Sequence, residues 1–387
     1  MATIINADTS DGLKLTSDTS GEIQFQSGGT TKMTVSSSGV SGIPTYAGMK
    51  NRIINGNMQI AQRGTSGTAG AGGGYLASDR WKAWDASDAV VTVSQETDGP
   101  TGQFTKCLKY NVTTADASIT ASQFGMVRQM IEGYNIIDLG FGTASAQSVT
   151  ISFWVKSSLT GSHGAALNNG NEDRSYPFAY TISVANTWEK KTVTIPGDTS
   201  GTWDTDNTAG MIITFGMGTG STYAGTADAW QAGNKFQPTS TVAPIGTISN
   251  WNVTGVQLEV GTTATDFENL QYGQQLALCQ RYFETSYDYG APFGTAPAQN
   301  GNITTVSSSL TSNQMAGAPF KVVKRAVPTI VAYNSITGTA GQAYRYDNAA
   351  SPTITFSGIG IEGIGRTTLG TSGASTYLWH FTASSEL

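Results

Sequence analysis

Between residues 79 and 270, apolar side chains recur at every second position in short runs, each closed by Gly, Asn, Asp or Pro. The clearest runs are Val90–Ser94, Cys107–Val112, Val149–Lys156, Phe178–Val184, Lys190–Ile195, Met211–Met217 and Trp251–Val260. A period of two gives each run one apolar and one polar face, the pattern of a strand lying against a core. With no helical period between them the strands must be antiparallel, and the segment is expected to be a sandwich or jelly roll. Composition agrees: 47 Gly and only 12% charged residues disfavour helix, while 8 Trp, 15 Tyr and 14 Phe can fill a core. At 387 residues the chain exceeds what one hydrophobic core serves, so two or three domains are expected.

The first forty residues carry a ten-residue repeat. Leu13-x-Leu15-x-Ser17 is followed by Ile23-x-Phe25-x-Ser27 and then by Met33-x-Val35-x-Ser37, with Gly21, Gly28-Gly29 and Gly39 in the turns. Each unit reads as a short strand with one apolar face. Leu13, Leu15, Ile23, Phe25, Met33 and Val35 are too few to hold a monomeric domain, so identical copies around a threefold axis are expected to bury them together. The competing reading is a flexible, partly ordered tail.

Pro44 closes the repeat. Helical spacing of Leu276, Cys279 and Phe283 predicts one helix, from Gln271 to about Tyr287. Strand candidates then return at Ile303–Ser307, Phe320–Val323, Thr329–Tyr333, Thr353–Ser357 and Tyr377–Phe381. The expected fold is mainly β. A repeat segment spans 1–45, an antiparallel jelly roll or β-sandwich 46–270, a linking helix 271–287 and a small β domain 288–387, the expected tip.

Several function classes are disfavoured. A net charge of −6 without any basic run leaves no footprint for nucleic acid. Apolar runs are only a few residues long, so no membrane insertion is expected, and MATIINADTSDG lacks the features of a signal peptide. Cys107 and Cys279 are expected to be reduced, buried small hydrophobes. Neither a G-x-S-x-G elbow nor a phosphate-binding Gly-Lys-Ser/Thr occurs. His163 reads as a solvated loop residue and His380 as a packing or hydrogen-bonding residue, so neither is expected to act as a base. Glu172-Asp173 and Asp204/Asp206 lie beside Gly and Asn, where turn chemistry explains them. Asp204-x-Asp206-x-Thr208 opens like a calcium loop, yet Ala209 stands at the sharp-turn position and Phe215 at the bidentate Glu position. No metal, cofactor or catalytic residue is therefore expected, with a structural Ca²⁺ left open.

Asn55-Gly56-Asn57-Met58, Gln62-Arg63-Gly64 and Ser78-Asp79-Arg80-Trp81 resemble the start of a domain common in bacteriophage tail-fibre proteins. Gly255-Val256-Gln257-Leu258-Glu259-Val260-Gly261 with Thr265-Asp266-Phe267-Glu268 resembles its end, and Leu276–Phe283 the helix that follows. Ile151–Lys156 and Trp188–Lys191 are similar to strands of carbohydrate-binding-module jelly rolls. The resemblance covers about residues 50–285. It implies a virion protein with a sugar-binding-like fold. The chain is expected to be a structural subunit assembled in the host cytoplasm, to form a stalk or dock on other virion proteins through its N-terminal repeat, and to contribute to host-surface attachment. A head fibre or capsid decoration protein, and a polysaccharide depolymerase, are the alternatives. A host surface glycan is the candidate partner, which would need aromatic platforms on loops. Trp203, Tyr223 and Trp230 in the middle segment, and Tyr287, Tyr289 and Phe293 after the helix, are the candidates. Trp81, Trp154, Trp188 and Trp251 flank or lie inside strands and are expected in the core.

Overall fold

The computed structural model describes residues 22–27, 30–36, 39–41, 50–298, 300–307, 314–370 and 373–387. The chain divides into two compact units, Met1–Lys50 and Asn51–Leu387. In the first, β1 (Ile23–Ser27), β2 (Thr30–Ser36) and β3 (Gly39–Ser41) form an antiparallel sheet. Ile23 lies opposite Val35 and Phe25 opposite Met33, so the apolar members of consecutive repeats share one face. Phe25 remains 41% exposed on it. Leu13 and Leu15 lie outside the described residues.

The second unit begins with a two-layered sandwich. Its strands are β4 (Ser66–Thr68), β5 (Lys82–Asp85), β6 (Val90–Glu96), β7 (Cys107–Thr114), β8 (Phe124–Glu132), β9 (Val149–Ser157), β10 (Gly161–Asn169), β11 (Arg174–Ile182), β12 (Glu189–Ile195), β13 (Ala209–Thr219), β14 (Ala224–Gly225), β15 (Gln231–Ala232), β16 (Gln237–Pro238) and β17 (Ser249–Val260). One six-stranded sheet runs β15-β11-β10-β13-β8-β5, the other β12-β9-β17-β7-β6-β4, with antiparallel neighbours throughout. Alternate residues such as Ile151, Phe153, Val155, Ile213 and Phe215 meet between the layers. Phe215 packs against Phe153 and Trp251, and the Trp251 indole donates to the Tyr180 hydroxyl at 3.0 Å.

A single helix follows among the described residues, α1 (Tyr272–Gln280), opened by a capping box of Gln271 and Gln274. It is shorter than the predicted 271–287. Phe283 sits at helical spacing, but β18 (Phe283–Thr285) pairs with the last strand of the chain, and that pairing ends the helix. The remaining strands are β19 (Ile303–Ser307), β20 (Gln314–Ala316), β21 (Thr329–Asn334), β22 (Tyr344–Arg345), β23 (Ile354–Ile359), β24 (Ile364–Leu369) and β25 (Ser375–Ser384). β25 carries β18 and β19 along one edge and β21 and β22 along the other. Its Tyr377, Trp379, Phe381 and Ala383 share a small core with Ile354, Ile364 and Leu369 of the β20-β24-β23 sheet.

Those strands join the sandwich through buried charge. Arg80, 1% exposed, pairs with Glu386, donates to the Met130 carbonyl at 2.6 Å and lies 3.5 Å from the Tyr282 ring centre. Glu132 accepts from Arg281 at 2.9 and 2.5 Å and from the Tyr282 hydroxyl at 2.7 Å. Lys324 and Glu284, both buried, pair at 2.6 Å. The boundary motifs work here too. The Asn55 amide bonds the backbone of Ile60 and Asp79, and Gln129 exchanges two 2.8 Å bonds with Ile54.

Candidate functional site

The two outer faces of the sandwich differ in what covers them. On the β15–β5 sheet, Gly164 lies opposite Gly216, and a Cβ at either would strike Gln237 at 2.4 or 2.3 Å. The Gln237 side chain occupies that space and accepts from the Gly218 N–H. Tyr223 stacks on Phe236 at 4.7 Å, and both meet Phe124 edge-on. The chain's own 220–238 segment thus closes this face.

The β12–β4 sheet is different. Its outward residues occupy the polar phase of the alternation: Ser152, Trp154 and Lys156 on β9, Lys190 and Thr192 on β12, Asn252 and Thr254 on β17. Trp154 stands between Lys190 and Thr254. One extra residue in β17 between Thr254 and Gln257 makes a bulge at Gly255, where φ is +60° and a Cβ would meet the Phe104 ring at 2.5 Å. Phe104 therefore lies down over the sheet, edge-on to Phe267 at 5.0 Å. A cleft of about 300 Å³ results, lined by Gln103, Phe104, Ser152, Trp154, Lys190, Gly255, Asp266, Phe267 and Asn269. At the neighbouring end Lys156 pairs with Asp98 and lies 5.1 Å from the Trp188 ring centre, while the Trp188 indole donates to the Asp98 carbonyl at 3.0 Å.

On the same face the Thr254 hydroxyl and the Asn252 carbonyl oxygen are buried without a protein partner. Half-buried aromatic rings beside polar groups of both signs suit a neutral polyhydroxylated ligand: its C–H faces meet the rings and its hydroxyls the rim.

Of the six aromatic candidates from the sequence, four lack a free ring face. Trp203 is buried, edge-on to Phe141 at 4.7 Å and to Trp230 at 5.5 Å. Trp230 is half-buried in that cluster, its indole donating to the Pro196 carbonyl. Tyr223 is committed to Phe236, and Tyr287 is buried and stacked on His380 at 3.8 Å. Tyr289 and Phe293 stay 48% and 37% exposed. Trp81 and Trp251 are in the core as expected, but Trp154 and Trp188 are not: both are half-buried on the outer face.

His163 is another correction. It lies within β10, buried and stacked near Tyr180, its Nε2 3.0 Å from the Leu159 carbonyl, and not in a solvated loop. Of the glycines beside it, Gly164 lies under Gln237, where a Cβ would come within 2.4 Å, and Gly161 sits at φ +113° where the strand begins. His380 bonds Ser286 and the Ala298 carbonyl. Both cysteines are free and buried. Among the described residues no group of three His, Cys, Asp or Glu side chains gathers to hold a metal. Asp206 accepts from the Thr208 amide and hydroxyl, Glu172 pairs with Arg128 at 2.8 Å, and Asp173 accepts from Asn169.

No protein-family model matches the chain, and no curated protein does. Solved structures overlay parts of it. A protein from Bacteroides thetaiotaomicron matches at 13% identity over 55% of this chain and 100% of its own, with a TM-score of 0.32. A carbohydrate-binding module of family 61, in complex with β-1,4-galactotriose, matches at 10% identity over 55% and 100%, with a TM-score of 0.28. The enzymatically active domain of bacteriophage CBA120 tailspike protein 4 matches at 12% identity over 55%, with a TM-score of 0.31, and this chain spans 21% of it.

Proposed function

We propose that this chain is a non-enzymatic structural subunit of a bacteriophage tail fibre or spike, and that the cleft over Trp154 binds a host surface glycan. One observation carries the glycan part: Trp154, Phe104 and Phe267 enclose a cleft of about 300 Å³ on a polar sheet face. A non-enzymatic role is supported by the engagement of Glu172, Asp173 and Asp206 in ion pairs and turns. The virion assignment rests on the boundary motifs and on the repeat, whose apolar face suits a homotrimer. Docking on other virion proteins would use the same N-terminal unit.

The test is binding of purified host surface polysaccharide to the full chain and to Trp154→Ala, by calorimetry. Removing the platform is expected to weaken binding at least about tenfold, the scale of an aromatic contact together with its buried area, while leaving the fold intact. Equal affinity in the two proteins would move the site elsewhere. Release of oligosaccharide would favour a depolymerase, and a particle reconstruction placing the protein on the capsid a head fibre or decoration protein.

A further inference from the structure

Trp188 immediately precedes β12 and falls in step with Lys190, so it projects onto the same outer face as Trp154. Lys190 lies directly opposite Trp154, which makes Trp188 and Trp154 diagonal neighbours on adjacent strands, about 7–8 Å apart. The indole of Trp188 is held in place. Its N–H donates to the Asp98 carbonyl at 3.0 Å, and the Lys156 ammonium, paired with the Asp98 carboxylate, lies 5.1 Å from the ring centre. Lys156 stands on the outer face of β9, yet its side chain is only 13% exposed. The cation therefore fills the side of the indole that faces the sheet, and the accessible part of the half-buried ring looks outward. The loop that supplies Asp98 also supplies Gln103 and Phe104 to the cleft, so one segment fixes both ends of this aromatic row.

Trp188 does not line the cleft itself. Along β9 the outward order is Ser152 in the cleft, then Trp154, then Lys156 under Trp188, with about 7 Å for each outward step. A fixed ring beyond the cleft adds nothing for one sugar ring seated inside it. It adds contact area for a chain long enough to leave the cleft. Lys156 and Asp98 neutralise each other at this end, which suits a chain without charge. We propose that this face reads a run of consecutive sugar rings in an unbranched neutral glycan, laid from the cleft across Trp154 to Trp188, with Trp188 as the second platform. This rests on the reading of the Trp154 cleft as a glycan site.

Calorimetry on the full chain tests this, with fragments of the host surface polysaccharide size-graded from single ring to hexasaccharide as probes. Affinity is expected to rise with fragment length. Trp188→Ala should weaken binding of the longest fragments about fivefold to tenfold, the scale of one aromatic contact, and leave the single ring and the disaccharide unchanged. Trp154→Ala should weaken every length. Trp188→Phe keeps a ring but loses the bond to Asp98, and it should restore most of the length dependence. A Phe variant as weak as the Ala variant would show that Trp188 only holds the Asp98 loop, and would overturn its role as a platform. Trp188→Ala with wild-type affinity at every length would overturn the proposal while the cleft reading stands. A full chain that binds no fragment would overturn both.

Discussion

Phe153 and Trp154 are neighbours with opposite surroundings. Phe153 points into the layered core, and Trp154 joins Ser152 and Lys156 on the polar phase of the same strand. Ring size alone suggests burial for both; parity along the strand decides. The two histidines carry a second residue-scale consequence. Burial pushes the imidazoles of His163 and His380 below the usual histidine range. The unfolded chain therefore binds more protons than the native one below about pH 6.5. Their contribution to stability is complete above that pH and is lost as pH falls through it. Buried Asp79 works oppositely at lower pH: burial holds its carboxyl above the usual range, so its effect reduces stability as pH rises from about 4. Melting temperature is expected to drop between about pH 7.5 and pH 5.5, the window set by the histidines. The drop should shrink in a folded His163→Gln/His380→Gln protein, and an unchanged drop would count against this account.

At the scale of elements, the cleft depends on the bulge in β17 as much as on any aromatic ring. Gly255→Ala would force a side chain into φ +60° and against Phe104. A cost of about 1–3 kcal/mol is expected, with Phe104 displaced and glycan binding weakened together. Melting and calorimetry on that one variant check both. The junction between β8, α1 and the C-terminal residues rests on Arg80. Glu386→Gln would leave that buried guanidinium with the Met130 carbonyl and the Tyr282 ring but no carboxylate partner. Denaturant unfolding should show a loss of about 3 kcal/mol, the lower end for breaking a buried pair.

For the whole molecule, the two units make separate predictions. Residues 51–387 contain every strand of the sandwich and of the C-terminal sheets, so a chain starting at Asn51 is expected to fold and remain monomeric. The full chain should sediment as a trimer at micromolar concentration, because a three-stranded sheet with Phe25 exposed is too small to stand alone. A monomeric full chain would remove that role from the repeat. Ending the chain at 287 should behave differently from removing the N-terminus. It takes away β25, the partner of β18, together with Glu386, and leaves Arg80 and Arg63 without that carboxylate. The sandwich is expected to melt markedly lower in that fragment.

Period-two alternation and turn residues are local properties, and through them the sequence alone determined the mainly β fold, most sandwich strands, the existence of one helix and the strand character of the repeats at β1 and β2; that consecutive repeats pair with each other came from the structure. The end of α1 was not local, because Phe283 could extend the helical face or pair with Ser384, and only the distant strand settles which. The candidate site was only partly legible. Trp154 was expected in the core from its ring and its strand, although parity puts it in step with Ser152 and Lys156. Its companions Phe104 and Phe267 come from loops more than a hundred residues apart, brought together by the Gly255 bulge. Trp203, Tyr223 and Tyr287 looked equally available in Gly-rich surroundings. Tertiary packing spent them on Phe141, Phe236 and His380, because a long loop laid on a sheet buries its own aromatic rings before any ligand arrives.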